Sequence, residues 1–187
     1  GSVMPIIDPF YKNKEINYFV NTHEQNCGHA ATGYAKLSGK PGVCLVTSGP
    51  GITNMITPML DAKNDSTPLV VISGQVPINV KGTNAFQEAP ALQLTKHVTK
   101  KNFNVKSISD IPKIIDEAFD IANSGKKGPV HIDIPKCVSS KTVETDFIKQ
   151  IENMNEYIKK QIKLYYPDDD INYKIKVKNI ADFINRS

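Results

Sequence analysis

Three apolar runs constrain the fold of this chain more than any other feature. GVCLVT at 42–47 and PLVVIS at 68–73 are apolar almost without interruption, and PVHIDI at 129–134 sets Val130, Ile132 and Ile134 around His131 and Asp133. Strands of that kind are buried on both sides, which is the habit of parallel sheets. Stretches of helical length and pattern lie between them. The alternation predicts an α/β fold: a three-layer domain with a central parallel sheet covered by helices on both faces.

The helices are marked by their ends. Glu24–Ser38 runs up to Gly39, the residue type that most readily closes a helix in the left-handed conformation. A second helix is expected over Ile52–Lys63, opening after a glycine turn and carrying Ile52, Met55, Ile56, Met59 and Leu60. Ser107 and Asp110 stand at capping-box spacing, ahead of Ile111, Ile114, Ile115, Ala118, Ile121 and Ala122 on one face. That places a helix over Ser107–Ser124, although Pro112 argues for a later start. Shorter strands are expected at Asn17–Val20 and Phe103–Val105.

Length and composition exclude several classes. The chain has 187 residues, enough for one domain with its own core. No stretch approaches the ~20 consecutive apolar residues of a membrane helix, and no cleavable signal pattern opens the chain; Gly1-Ser2 has the look of a cloning remnant. The net charge of +4 comes from scattered lysines, notably between Lys159 and Lys178, and lacks the clustered basic stripe of a nucleic-acid interface. Cys27, Cys44 and Cys137 are odd in number and form no C-x-x-C pair, which argues against a disulfide framework or a zinc site. A reducing compartment, the cytoplasm or an organelle with a reducing interior, fits them. His29, His97 and His131 lack metal-ligand spacing and read as structural, so no metal site is expected in this chain.

The character changes at about Ser139. Residues 1–138 carry the strands and helices described above, whereas 139–187 is polar and rich in Lys and Asn. Phe147, Ile151, Met154, Ile158 and Ile162 fall on one helical face, which predicts a linker with a surface helix, and Ile175–Ile184 reads as the start of a further segment.

Two glycine-punctuated segments follow apolar strands directly: TSGPG (Thr47, Ser48, Gly49, Pro50, Gly51) and SGQVP at 73–77. In parallel sheets, ligands bind in the crevice at the carboxyl ends of the strands. TSGPG lacks the lysine and spacing of a phosphate-binding P-loop. Taken by itself it reads as a turn, glycine and proline being the strongest local punctuators. Glu24, in the first turn of a helix, reads either as a carboxylate favoured by the helix dipole or as an acid–base group. Asn54 reads equally well as orienting the TSGPG loop or as capping the next helix. Glu88 reads as an exposed loop charge, and His23 as a rim residue beside Glu24.

These pieces occur together and in one order: HEQ…GYA…SGKPGV from His23, VTSGPG.TN..TP from Val46, GQVP…GT.AFQE from Gly74, and GPV.IDIPK from Gly128. Over roughly residues 1–138 the chain resembles the pyrimidine-binding domain of thiamine-diphosphate-dependent enzymes, most closely the acetolactate synthase (acetohydroxyacid synthase) family. The resemblance implies decarboxylation of pyruvate on thiamine diphosphate and condensation with a second 2-oxo acid. It implies that Glu24 holds a proton at N1′ of the cofactor's aminopyrimidine, its pKa raised by exclusion of water. It further implies that Thr47–Gly51 and Asn54 line the pyrimidine, and that Phe86 and Gln87 face the substrate side. Mg²⁺ and FAD are implied for the full-length enzyme but outside this chain, which has no Gly-Asp-Gly…Asn motif. The resemblance also implies a homodimer with the active site between subunits, a possible regulatory subunit, and a chain that is part of a longer polypeptide, truncated at its N-terminus. Two rivals remain at this level: another enzyme of the superfamily (a pyruvate oxidase, a 2-oxo acid decarboxylase or a sulfoacetaldehyde acetyltransferase), and a catalytically silent dimerisation or regulatory domain.

Overall fold

The computed structural model describes residues 1–12 and 16–141. The helix expected at Phe147–Ile162 and the segment at Ile175–Ile184 lie outside the described residues. The described residues pack as one unit around four parallel strands: β1 (Gly42–Val46), β2 (Leu69–Gln75), β3 (Lys101–Asn104) and β4 (Pro129–Pro135). Their order across the sheet is β1-β2-β4-β3, with Val46 opposite Ser73 and Ser73 opposite Asp133. All four strands point the same way, so their carboxyl ends share one edge.

Helices cover both faces, as the unbroken apolar strands require. On one face α2 (Glu24–Ser38), α3 (Pro50–Asn54) and α4 (Ile56–Asn64) bury Ala31, Ile52, Met55, Met59 and Ala62 against Cys44, Val46, Leu69 and Val71. A short helix α5 (Ala91–Thr95) completes that layer. On the other face α6 (Ile111–Asn123) packs Ile114, Ile115, Ala118 and Ala122 on Val70, Val130, Ile132 and Phe103. Ile6 of α1 (Met4–Lys12) and Val138 of α7 (Lys136–Ser139) join the same core.

Several expectations are corrected. Asn17–Val20 forms no strand: Phe19 and Val20 are 89% and 87% exposed, and β propensity without a surface to pack on has nothing to express. The single helix expected at Ile52–Lys63 is two helices, broken at Met55. Pro58 explains the break, because its ring has no N–H and would collide with the carbonyl of Asn54 in a continuous helix. The Ser107–Asp110 capping box exists but closes a single 3₁₀ turn, and the α-helix starts later, at Ile111, with Pro112 in its first turn. SGQ at 73–75 belongs to strand β2, so the loop begins only at Val76. Ser2 and Val3 are only 8% and 7% exposed.

Candidate functional site

At the carboxyl edge of the sheet, β1 ends at Val46 and the chain enters Thr47–Gly51. The Gly51 amide donates to the Ser48 carbonyl at 3.3 Å, and the Thr53 amide to the Gly49 carbonyl at 3.1 Å, so the loop winds straight into α3. Gly49 has φ 59°, a conformation costly for a residue with a Cβ. It is also pressed on a neighbour: an added Cβ would fall 2.7 Å from the Gln87 carbonyl oxygen and 2.9 Å from its Cα. The 47–51 loop and Gln87 therefore meet through their backbones. Gln87 itself has φ 59°, held within a loop that Glu88 ties together by accepting from the Gly82 amide at 2.5 Å and the Ala85 amide at 3.1 Å. Glu88 is thus a loop clasp as well as a surface charge, and its bond from Gly82 holds its carboxyl below the usual range.

Glu24 opens α2, whose N-cap is His23: the imidazole Nδ1 accepts from the Gln25 amide at 3.1 Å. His23 is therefore a capping residue. From the last position of α3, Asn54 donates through Nδ2 to Glu24 Oε2 at 3.0 Å. Neither role considered for Asn54 describes this contact; it joins the end of α3 to the start of α2. The hydrogen bond from Asn54, followed by the Glu24 backbone amide, outweighs the small desolvation and holds the Glu24 carboxyl below its ordinary pKa. The expectation of a raised pKa is thus corrected for this chain taken alone, because the domain itself shields Glu24 little.

Contacts link Glu24 to Asn54, the Thr53 amide to Gly49, and Gly49 to Gln87 in one series. Phe86, next to Gln87 in the chain, is 89% exposed. Two supports of this site went unrecognised in the sequence. Ser2 Oγ lies 3.1 Å from Thr47 Oγ1 and accepts from the Ser48 amide at 3.1 Å, fixing the loop from beneath. The second is a buried polar chain below the edge. Ser73 Oγ donates to Asp133 Oδ1 at 2.7 Å and lies 2.8 Å from His131 Nε2, while Thr95 Oγ1 lies 2.9 Å from His131 Nδ1. Gln75 Nε2 donates to Asp133 Oδ2 at 3.2 Å and to the Ala89 carbonyl at 3.1 Å, and Gln75 Oε1 accepts from the Val76 amide at 2.9 Å. Gln75 thereby holds both ends of the loop that carries Phe86 and Gln87. Burial pushes His131 down to about 3 and Asp133 upward, the bonds from Ser73 and Gln75 opposing the latter. Among the described residues, no cluster of three or more His, Cys, Asp or Glu is placed to hold a metal ion.

Comparison with known proteins identifies the architecture. Residues 1–95 match the family described as "Thiamine pyrophosphate enzyme, N-terminal TPP binding domain". The chain belongs to this family. Similar proteins include the acetolactate synthase large subunit of Corynebacterium glutamicum, 49% identical over 148 residues, covering 79% of this chain and 23% of that protein. The mitochondrial acetolactate synthase catalytic subunit of Saccharomyces cerevisiae is 50% identical over 140 residues (75% of this chain, 20% of that protein). The chloroplastic acetolactate synthase of Arabidopsis thaliana is 48% identical over 136 residues (73% and 20%). The chain therefore spans about a fifth to a quarter of the length of these relatives. Among the described residues, no helix is long and apolar enough to cross a membrane.

Proposed function

We propose that this chain is the pyrimidine-binding part of an acetolactate-synthase-like enzyme, which decarboxylates pyruvate and condenses the product with a second 2-oxo acid. The observation that carries this reading is the Asn54–Glu24 hydrogen bond, which sets a charged, partly exposed carboxylate beside the loop of a domain already assigned to thiamine pyrophosphate enzymes. The residues present fit the cofactor's pyrimidine end: a carboxylate suits a protonated ring nitrogen, and a glycine-bearing loop suits a flat ring. When bound, thiamine diphosphate supplies a thiazolium carbon that becomes a nucleophile once deprotonated. Glu24 would hold the proton at N1′, with Asn54 fixing its orientation. Thr47–Gly51 would lie along the ring, backbone first. Gln87 would donate to the substrate side, and Phe86 would wall it. Mg²⁺ and FAD would bind residues outside this chain. A homodimer with the site between subunits, and a regulatory subunit, belong to the same reading, as does a reducing compartment for the three free cysteines. That each relative compared above is an acetolactate synthase favours this reaction over those of the oxidases and decarboxylases.

In the complete enzyme, Glu24→Gln is expected to leave folding intact and slow hydrogen–deuterium exchange at C2 of the bound cofactor by ~10²–10⁴-fold, the usual contribution of a positioned proton-transfer group. An exchange rate equal to that of the parent enzyme would overturn the assignment.

A further inference from the structure

Helix α2 lies close against β1. A Cβ added to Gly42 would fall 2.3 Å from the Ala31 carbonyl oxygen, so only glycine lets the two backbones meet there. Only residues 39–41 separate the helix from the strand, and the two therefore run in opposite directions. Four residues back along the helix is about 6 Å at 1.5 Å per residue. Two residues forward along the strand is about 6.6 Å at 3.3 Å per residue. The same facing relation thus recurs between Cys27 and Cys44. Cys44 Sγ donates to the Cys27 carbonyl oxygen at 3.6 Å, and the two thiols are close enough to shift each other's ionisation. Disulfides require close approach of the two residues, and the Cys44 Sγ contact with the Cys27 backbone sets the pair side by side.

We propose that Cys27 and Cys44 form a peroxide-driven disulfide, a modification site built into the packing of α2 on β1. The two cysteines divide the chemistry. Cys27 is half-buried and reachable, whereas Cys44 is buried at 1% exposure. The neighbouring Cys44 thiol lowers the Cys27 thiol to about 7, while Cys27 and burial push Cys44 up, so Cys27 carries the thiolate. Thiolates are the species that hydroperoxides oxidise. The Cys27 thiolate attacks the distal oxygen of a hydroperoxide; the O–O bond breaks, and the alcohol or water leaves with a proton. Cys44 then attacks the Cys27 sulfenic sulfur, the S–S bond forms, and the hydroxyl leaves as water with the Cys44 proton. Two thiols and one hydroperoxide give one disulfide, one alcohol (or water) and one water. The bond joins the helix that begins at Glu24 to the strand that leads into Thr47–Gly51.

The test uses the chain with Cys137→Ser, which removes the exposed third thiol and leaves only the pair. After treatment with hydrogen peroxide and denaturing alkylation, intact mass should show loss of two hydrogens and no alkylation. A Cys27–Cys44 cross-linked peptide should appear, and both thiols should return with dithiothreitol. In Cys27→Ser, Cys44 should stay reduced; in Cys44→Ala, Cys27 should oxidise to sulfenic acid and beyond without a cross-link. The proposal is overturned if Cys27 gains oxygen while Cys44 remains alkylatable, or if the only disulfide formed links two chains.

Discussion

Glu24 is set by influences of opposite sign. Its hydrogen bond from Asn54 stabilises the carboxylate, and partial burial disfavours it; in this chain the hydrogen bond wins. Asn54→Ala should therefore raise the Glu24 pKa toward its ordinary value, with the fold unchanged. A side-chain carbon NMR titration of Glu24 in the two proteins reads this directly, and identical titration curves would show that Asn54 is not the controlling partner. Glu24 itself was legible in the sequence, since a carboxylate at a helix start just before a small-residue run is a local pattern. Asn54's role was not, because its partner lies 30 positions away and only the fold brings them together. Ser2 was missed for the same reason, its partners Thr47 and Ser48 lying 45 and 46 positions along the chain.

Elements whose causes are local came out of the sequence almost intact. α2 spans Glu24–Ser38 as expected because both ends are written in neighbouring residues: His23 caps it and Gly39, at φ 73°, closes it. The strands are legible because their apolar runs leave them no other fate. The break at Met55 was hidden, because Pro58 is tolerated in the first turn of a new helix and the apolar pattern continues across it. The strand character of SGQ was hidden too, since glycine and polar residues spell a turn until Ser73 and Gln75 are seen to pair with Asp133 across the sheet. That buried chain carries a pH prediction. Ser73 has one hydroxyl proton and donates it to Asp133, so it accepts from His131 Nε2–H; burial keeps His131 neutral, and Thr95 Oγ1, which donates to the Ala91 carbonyl, lies 2.9 Å from Nδ1. The folded pKa of His131 is about 3, against 6.5 ordinarily. Between those values the unfolded chain binds a proton that the folded chain refuses, so stability is complete above 6.5 and declines as pH falls. Asp133 is shifted upward by burial and works in the opposite sense, so the His131 contribution is read as the difference between the parent and a variant that lacks the imidazole. His131→Asn should cost about 1–3 kcal/mol at neutral pH by stranding buried partners. It should also flatten the decline between about pH 6.5 and 5. Thermal unfolding midpoints across that interval provide the check, and parallel slopes for both proteins would contradict it.

At the scale of the whole molecule, the small residues of α2 divide between two tasks. Gly28, Ala31 and Ala35 face inward; an added Cβ at Gly28 would fall 2.4 Å from Pro58 Cγ, so this side is committed to packing within the domain. Ala30, Gly33, Tyr34 and Leu37 lie on the outer side at i, i+3, i+4 and i+7, with Tyr34 41% and Leu37 58% exposed. On α4, Leu60 is 45% exposed. An outer stripe of this kind fits the homodimer proposed above, because small residues permit close helix approach and the larger ones supply apolar area at ~25 cal/mol per Å². Gly33 separates this role from folding. A Cβ built there meets nothing within 4 Å, so the domain has room for a larger side chain. Gly33→Arg should stabilise the helix by up to about 1 kcal/mol, since glycine is a poor helix former, while placing a charged, bulky side chain in the middle of the outer stripe. The expected result is a thermal midpoint equal to or above that of the parent, together with a shift from dimer to monomer in sedimentation equilibrium at high micromolar concentration. Two results would count against the interface: a parent chain that is already strictly monomeric, or a Gly33→Arg variant that dimerises as tightly as the parent.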